Sequence, residues 1–201
     1  MKKIILASNN KHKIEEIKDL LKGYKIYSLA DINFQEDIEE TAETFEGNAL
    51  LKAKAILNFA KNLDYDYILA DDSGLCVEAL GGAPGVYSAR YAGEHDDEAN
   101  RQKLLDKLQN KSNRFAQFVC CLCLMEKNGN YQFFVGKTDG EILKEYRGDT
   151  SFCYDCLFFS KDLQKTFGEA SSVEKNSVSH RARALEQLKE KLYFTNKEQV
   201  N

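Results

Sequence analysis

The chain has 201 residues, 43% hydrophobic and 30% charged, with a formal net charge of −4. That length is enough for one large domain or two small lobes, and that composition is ordinary for a globular protein. The acidic balance leaves no basic footprint for nucleic acid, and with no run of about 18 apolar residues no membrane partner is expected. The opening MKKIILAS carries too short an apolar core for a signal peptide, so a cytoplasmic location is expected.

The first strand is expected over Lys2–Ser8, and a helix over Lys13–Lys22, where Ile14, Ile17 and Leu21 recur at i, i+3, i+7. Between them lies Ser8-Asn9-Asn10-Lys11-His12-Lys13, a polar turn with basic side chains. A strand feeding a helix N-terminus leaves N–H groups pointing at such a turn, which suits phosphate. A second strand is expected near Lys25–Ser28, followed by the acidic stretch Gln35–Glu46, which includes Glu39 and Glu40. The next helix runs from about Phe45 to Asn62. Ala49, Ala53, Ile56, Leu57 and Ala60 form its apolar stripe, and Lys52 and Lys54 lie off it.

The stretch Leu69–Gly93, LADDSGLCVEALGGAPGVYSARYAG, concentrates the chemistry. An apolar run, Tyr67–Ala70, meets two adjacent carboxylates, Asp71 and Asp72. A Ser-Gly turn and a loop with Gly81, Gly82, Pro84 and Gly85 are expected to follow. Ligands collect at the carboxyl ends of strands in α/β proteins. Adjacent carboxylates repel unless a cation or proton lies between them. An oxygen-rich donor set of this kind suits Mg²⁺, with Mn²⁺ as a substitute, rather than zinc.

Further on, Asp96-Asp97 caps a helix to about Leu108, and Arg114–Lys127 with Asn130–Lys137 forms a hairpin closed at Asn128-Gly129. Short strands are expected at Asp139–Leu143 and Phe152–Phe159. Ser179 caps a last helix, Ala182–Leu192. The order implies α/β architecture: a mixed, twisted central sheet with flanking helices, in one domain over residues 1–194 with a tail over 195–201. The six cysteines read as free thiols, three of them as small hydrophobes within Phe118–Met125. There is no G-x-x-x-x-G-K-[ST] or G-x-S-x-G motif.

ILASNNKHKIEEI, TFEGNALLKAKA, ADDSGLCVEALGGAPGVYSARYAG, FCYD and EKNSVSHRARAL together resemble the inosine triphosphate pyrophosphatase family, from about Ile5 to Leu188. The resemblance implies two lobes around an active-site cleft, and Mg²⁺-dependent hydrolysis of deaminated purine nucleoside triphosphates (ITP, dITP, XTP) to monophosphate and pyrophosphate by a homodimer. It maps the phosphate turn to Ser8, Asn9, Asn10, Lys11, His12 and Lys13. The catalytic, metal-binding acid maps to Asp72, with Ser73 on the substrate, and the metal-binding glutamate to Glu39 or Glu40. The base block maps to Phe152, Cys153, Tyr154 and Asp155, and the C-terminal block to Lys175, Ser179, His180 and Arg181. Lys13, Lys52 and Lys175 are candidate phosphate clamps.

One block departs from the family. Thr150, Ser151 and Cys153 stand where it carries glycine, and Cys156 where it carries proline. Two alternatives follow: a pyrophosphatase for other modified or pyrimidine nucleoside triphosphates, or a nucleotide-binding protein with impaired catalysis.

Overall fold

The computed structural model describes residues 1–93 and 96–198. In chain order the elements are β1 (Lys3–Leu6), α1 (Lys11–Leu20), β2 (Lys25–Tyr27), α2 (Phe45–Phe59) and β3 (Tyr67–Val77). They continue with α3 (Asp97–Leu108), β4 (Phe115–Glu126), β5 (Tyr131–Ile142), β6 (Phe158–Ser160), β7 (Lys165–Thr166), α4 (Ser172–Val178) and α5 (His180–Glu198). The seven strands form one mixed, open sheet in the order β2-β1-β3-β4-β5-β6-β7. β1 runs parallel to both β2 and β3, with Ile4 opposite Ile26 and Tyr67. Parallel neighbours need crossovers, and α1 and α2 provide them. β5, β6 and β7 pair antiparallel.

The chain divides into two compact units: Met1–Asp72, Cys121–Val135 and the chain from Ala182 on; then Ser73–Cys120 and Gly136–Arg181. In the first, α2 lays Ala49, Ala53, Ile56 and Ala60 against Ile5, Ile68, Ala70, Cys121 and Cys123. The alanines let the helix approach the sheet closely. Burial pushes the Cys121 and Cys123 thiols up to about 12, as expected of packing residues. In the second unit Leu75, Val77, Leu104, Leu108, Phe118, Phe158 and Phe167 form the core. The Phe118 ring lies 4.6 Å from Phe158 and 5.9 Å from Phe167.

Several sequence expectations change. The strand does not stop at Asp71-Asp72, and Ser73-Gly74 is not a turn: β3 runs through all four. Apolar residues on both sides of the acidic pair, Ile68–Ala70 and then Leu75 and Val77, are fully buried and keep the chain extended. Asp139–Leu143 is not a separate strand; all but Leu143 belongs to β5. Phe152–Phe159 is mostly not a strand. Residues 151–157 form successive turns, and extension begins at Phe158. Helix α1 starts at Lys11, two residues before the expected Lys13, because the Asn10 side chain accepts a hydrogen bond from Lys13 N and caps it there.

β7 and α4 have no counterpart among the expected elements. α4 carries a readable signal, a capping box in which Ser171 and Glu174 satisfy each other's backbone N–H groups. α5 begins at His180, directly after Ser179, and continues to Glu198, into the segment expected as a tail. Residues 199–201 lie outside the described residues. No helix among the described residues is long and apolar enough to cross a membrane.

Candidate active site

The first unit gathers the acidic pair with its counterions. Asp71 and Asp72 are buried, at 1% and 4% exposure. Buried carboxylates must be paired, and α1 and α2 supply the partners. Lys13 Nζ lies 2.5 Å from Asp71 Oδ1. Lys52 Nζ lies 2.9 Å from Asp72 Oδ1 and 2.7 Å from Glu40 Oε1, and it also donates to the Asp71 carbonyl at 3.3 Å. Lys52, expected off the apolar stripe of α2, is therefore buried beside that stripe, whereas Lys54 is exposed.

Asn48, one helical turn before Lys52, donates to Asp72 Oδ2 at 3.3 Å and accepts from Ala42 N at 2.9 Å. It ties the acidic loop to the acidic strand. The sequence reading missed Asn48. Its signal was the i, i+4 spacing of an amide and a lysine on one helix face.

Here the Lys13 ammonium meets Asp71, and the Lys52 ammonium bridges Asp72 and Glu40. Burial pushes the Asp72 carboxyl above its ordinary range, although Lys52 and Lys13 pull the other way. Burial alone would lower Lys52, but Asp72 and Glu40 outweigh it, and the ammonium is held more tightly than usual. Of the two glutamates, Glu40 faces this cluster, and Glu39 is exposed. Ser8 is half-buried, whereas Asn9, Asn10, Lys11 and His12 are exposed around the first turn of α1.

The second unit gathers the C-terminal candidates. Lys175, on α4, lies 2.6 Å from Asp155 Oδ2, and its ammonium sits 4.4 Å from the centre of the Phe152 ring. Lys175 thus belongs with the aromatic block. Asp155 and Lys175 are both buried. His180 is buried with its ring stacked on Phe118, centroids 4.9 Å apart. Arg181 has no exposed surface and donates from Nη2 to Ser73 Oγ at 3.0 Å. Asp155 Oδ1 and His180 Nδ1 are buried atoms outside any protein hydrogen bond, although both residues hold other contacts.

Tyr154 points away from this group. It is buried, and its hydroxyl donates to the Ser88 carbonyl at 2.9 Å, tying the turn to the glycine-rich loop. In that loop Gly81, Gly82 and Gly85 all take positive φ, which a side chain would resist. Cys153 and Cys156 lie in the turns rather than in a strand, as free thiols. Burial pushes the Cys153 thiol far up, so it is not a reactive thiolate.

The profile of the Ham1 family matches residues 4–191. The chain belongs to the Ham1 family. It is 47% identical to a dITP/XTP pyrophosphatase of Clostridium perfringens, over 96% of this chain and 98% of that one. With the dITP/XTP pyrophosphatase of Bacillus subtilis it shares 46% identity over 94% and 96% of the two chains. The solved Ham1 protein of Staphylococcus aureus superposes with a TM-score of 0.86 at 40% identity, covering 96% of this chain and all of that one. The residues matched by the family include both the acidic strand and the C-terminal block.

Proposed function

We propose that the protein hydrolyses deaminated purine nucleoside triphosphates, dITP, ITP and XTP, to the nucleoside monophosphate and pyrophosphate, clearing them from the nucleotide pool. The observation that supports this most is the convergence of Asp72 and Glu40 on the Lys52 ammonium, in a chain whose relatives are named for this reaction.

The triphosphate is the ligand of the first unit. Lys13, Lys52 and the polar turn Ser8–Lys13 hold its oxygens, with the N-terminus of α1 adding its partial positive charge. A water oxygen attacks the α-phosphorus, the bond from that phosphorus to the bridging oxygen breaks, and pyrophosphate leaves with the electron pair. Asp72 accepts the proton of the attacking water. Burial raises its proton affinity above that of an exposed aspartate.

The donor set fits a hard divalent cation. Asp72 and Glu40 converge on one ammonium, and Mg²⁺ needs only one or two carboxylates together with phosphate oxygens. When bound, Mg²⁺, or Mn²⁺ in its place, neutralises charge on the phosphate oxygens.

The base is the ligand of the second unit. Phe152 offers a ring face, and Lys175, His180 and Arg181 offer donors for the 6-carbonyl of hypoxanthine or xanthine. Adenine presents an amino group there and leaves such donors unpaired, at about 1–3 kcal/mol for each buried group. Ser73, held by Arg181, adds a hydroxyl for the substrate. We further propose a homodimer in the cytoplasm, for which sedimentation of the purified protein is the test.

The deciding experiment is a panel of dITP, XTP, dATP, dGTP, dUTP and CTP with direct chromatography of products. Monophosphate and pyrophosphate from dITP and XTP, well above the other four, are expected. Diphosphate with orthophosphate, or equal turnover of the pyrimidine nucleotides, would overturn the reading.

A further inference from the structure

The turns over residues 151–157 carry Phe152 and Asp155. Asp155 N bonds to Phe152 O at 2.9 Å, and Leu157 N to Tyr154 O at 2.9 Å. The carbonyls of Thr150 and Cys153 look elsewhere, to Arg101 on α3. Its Nη1 donates to Thr150 O at 3.1 Å and to Cys153 O at 2.7 Å.

The rest of that guanidinium is also fixed. Nε and Nη2 both donate to Glu98 Oε2, at 3.2 and 2.8 Å. Glu98 Oε1 accepts from the Tyr146 hydroxyl at 3.0 Å, and the Arg101 guanidinium carbon sits 5.4 Å from the Tyr146 ring centre. The Arg101 side chain is only 6% exposed. A planar fork with several donors can join a carboxylate to two carbonyls at once; a lysine ammonium, with one donor atom, has no such span.

We propose that Arg101 is a positioning residue for nucleotide selection: with Glu98 and Tyr146 it straps the Thr150–Cys153 backbone to α3, and so sets where Phe152 and Asp155 meet the base. The two carbonyls it holds belong to positions where glycine was expected from the family resemblance. Thr150 and Cys153 give up that backbone freedom, and the strap holds both carbonyls in one arrangement.

This inference rests on the proposed role of the second unit in binding the base, and the test separates the two. The measurements are KM and kcat for dITP, the dITP-to-dATP preference, and inhibition by inorganic tripolyphosphate, which has no base. For Arg101→Leu the expected result is a KM for dITP raised about tenfold, kcat within about twofold, a reduced preference, and unchanged tripolyphosphate inhibition. An unchanged KM overturns the inference. So does a loss of tripolyphosphate inhibition in step with dITP, which marks general damage.

If Arg101→Leu does not fold, Arg101→Lys carries the same test. It keeps the charge beside Glu98 but reaches one carbonyl, so a smaller KM rise at constant kcat is expected, and no rise overturns the strap. Asp155→Asn is the control for the underlying reading. If it leaves KM for dITP unchanged, the base assignment fails. If it raises KM while the Arg101 variants do not, only the strap falls.

Discussion

Lys52 Nζ lies 2.9 Å from Asp72 Oδ1, a buried contact between a helix and the middle of a β-strand. The same ammonium reaches Glu40 at 2.7 Å, so one cation joins two carboxylates that would otherwise repel. Stability and chemistry meet at this contact. Breaking a buried ion pair by removing one partner leaves an uncompensated charge, a cost of about 3–5 kcal/mol. Lys52→Met should lower the urea midpoint accordingly and lose turnover. Asp72→Asn removes the charge and the proton acceptor, keeps the shape, and should fold while kcat falls by about 10²–10⁴. Wild-type turnover by Asp72→Asn at saturating Mg²⁺ would remove Asp72 from the mechanism.

Glu39 and Glu40 are adjacent in sequence and opposite in placement: Glu40 meets Lys52, and Glu39 is exposed. Glu40→Gln should raise the Mg²⁺ concentration needed for half-maximal activity by about tenfold or more, because a hard cation loses a charged oxygen donor. Glu39→Gln should leave that concentration within about twofold. A Mg²⁺ titration of both variants decides between the two glutamates, and the reverse pattern would move the site.

Glu174 links pH to the α4 segment that carries Lys175. A hydrogen bond from Lys165, then bonds from the Ser171 backbone and hydroxyl, hold the Glu174 carboxyl down at about 2, against an ordinary value of 4.5. A carboxylate whose folded-state pKa is depressed adds stability above its unfolded pKa and loses it as pH falls through the folded one. The Tm gap between the wild type and Glu174→Gln should therefore be full above about pH 5. It should close as pH falls from 4.5 toward 2. A gap independent of pH would show that the carboxylate charge is not what holds the cap.

Cys153 stands beside the aromatic block, but burial raises its thiol far above the ordinary range. Thiolate is the reactive form. Iodoacetamide or mild peroxide at pH 7.5 should leave Cys153 unmodified in the folded protein and activity on dITP intact, in wild type and Cys153→Gly alike. Peptide mass spectrometry reads the first outcome. Loss of activity reversed by dithiothreitol in the wild type alone would make Cys153 a redox-sensitive residue.

Much of this protein was legible without coordinates, because the readable features are local. The apolar stripe Ala49, Ala53, Ile56, Ala60 has helical period, and the cap at Asp96 stands where the chain turns into helix. The apolar run through Cys120–Cys123 reads as a buried arm of a hairpin, and the acidic pair announces a demand for cations. Other features depended on packing between distant segments. β3 continues through Asp71 and Asp72 because lysines from α1 and α2 arrive to compensate them, which a scan for strand-ending polar residues cannot see. The turns at 151–157 stand where an aromatic strand was expected, and Arg101, about fifty residues earlier in the chain, holds the carbonyls of Thr150 and Cys153 there. Glu40 rather than Glu39 joins the cluster because Asn48 fixes the loop at Ala42 and Lys52 lies within reach of one carboxylate and not the other. Periodicity and caps are properties of neighbouring residues, whereas the partner a buried charge finds is a property of the assembled chain.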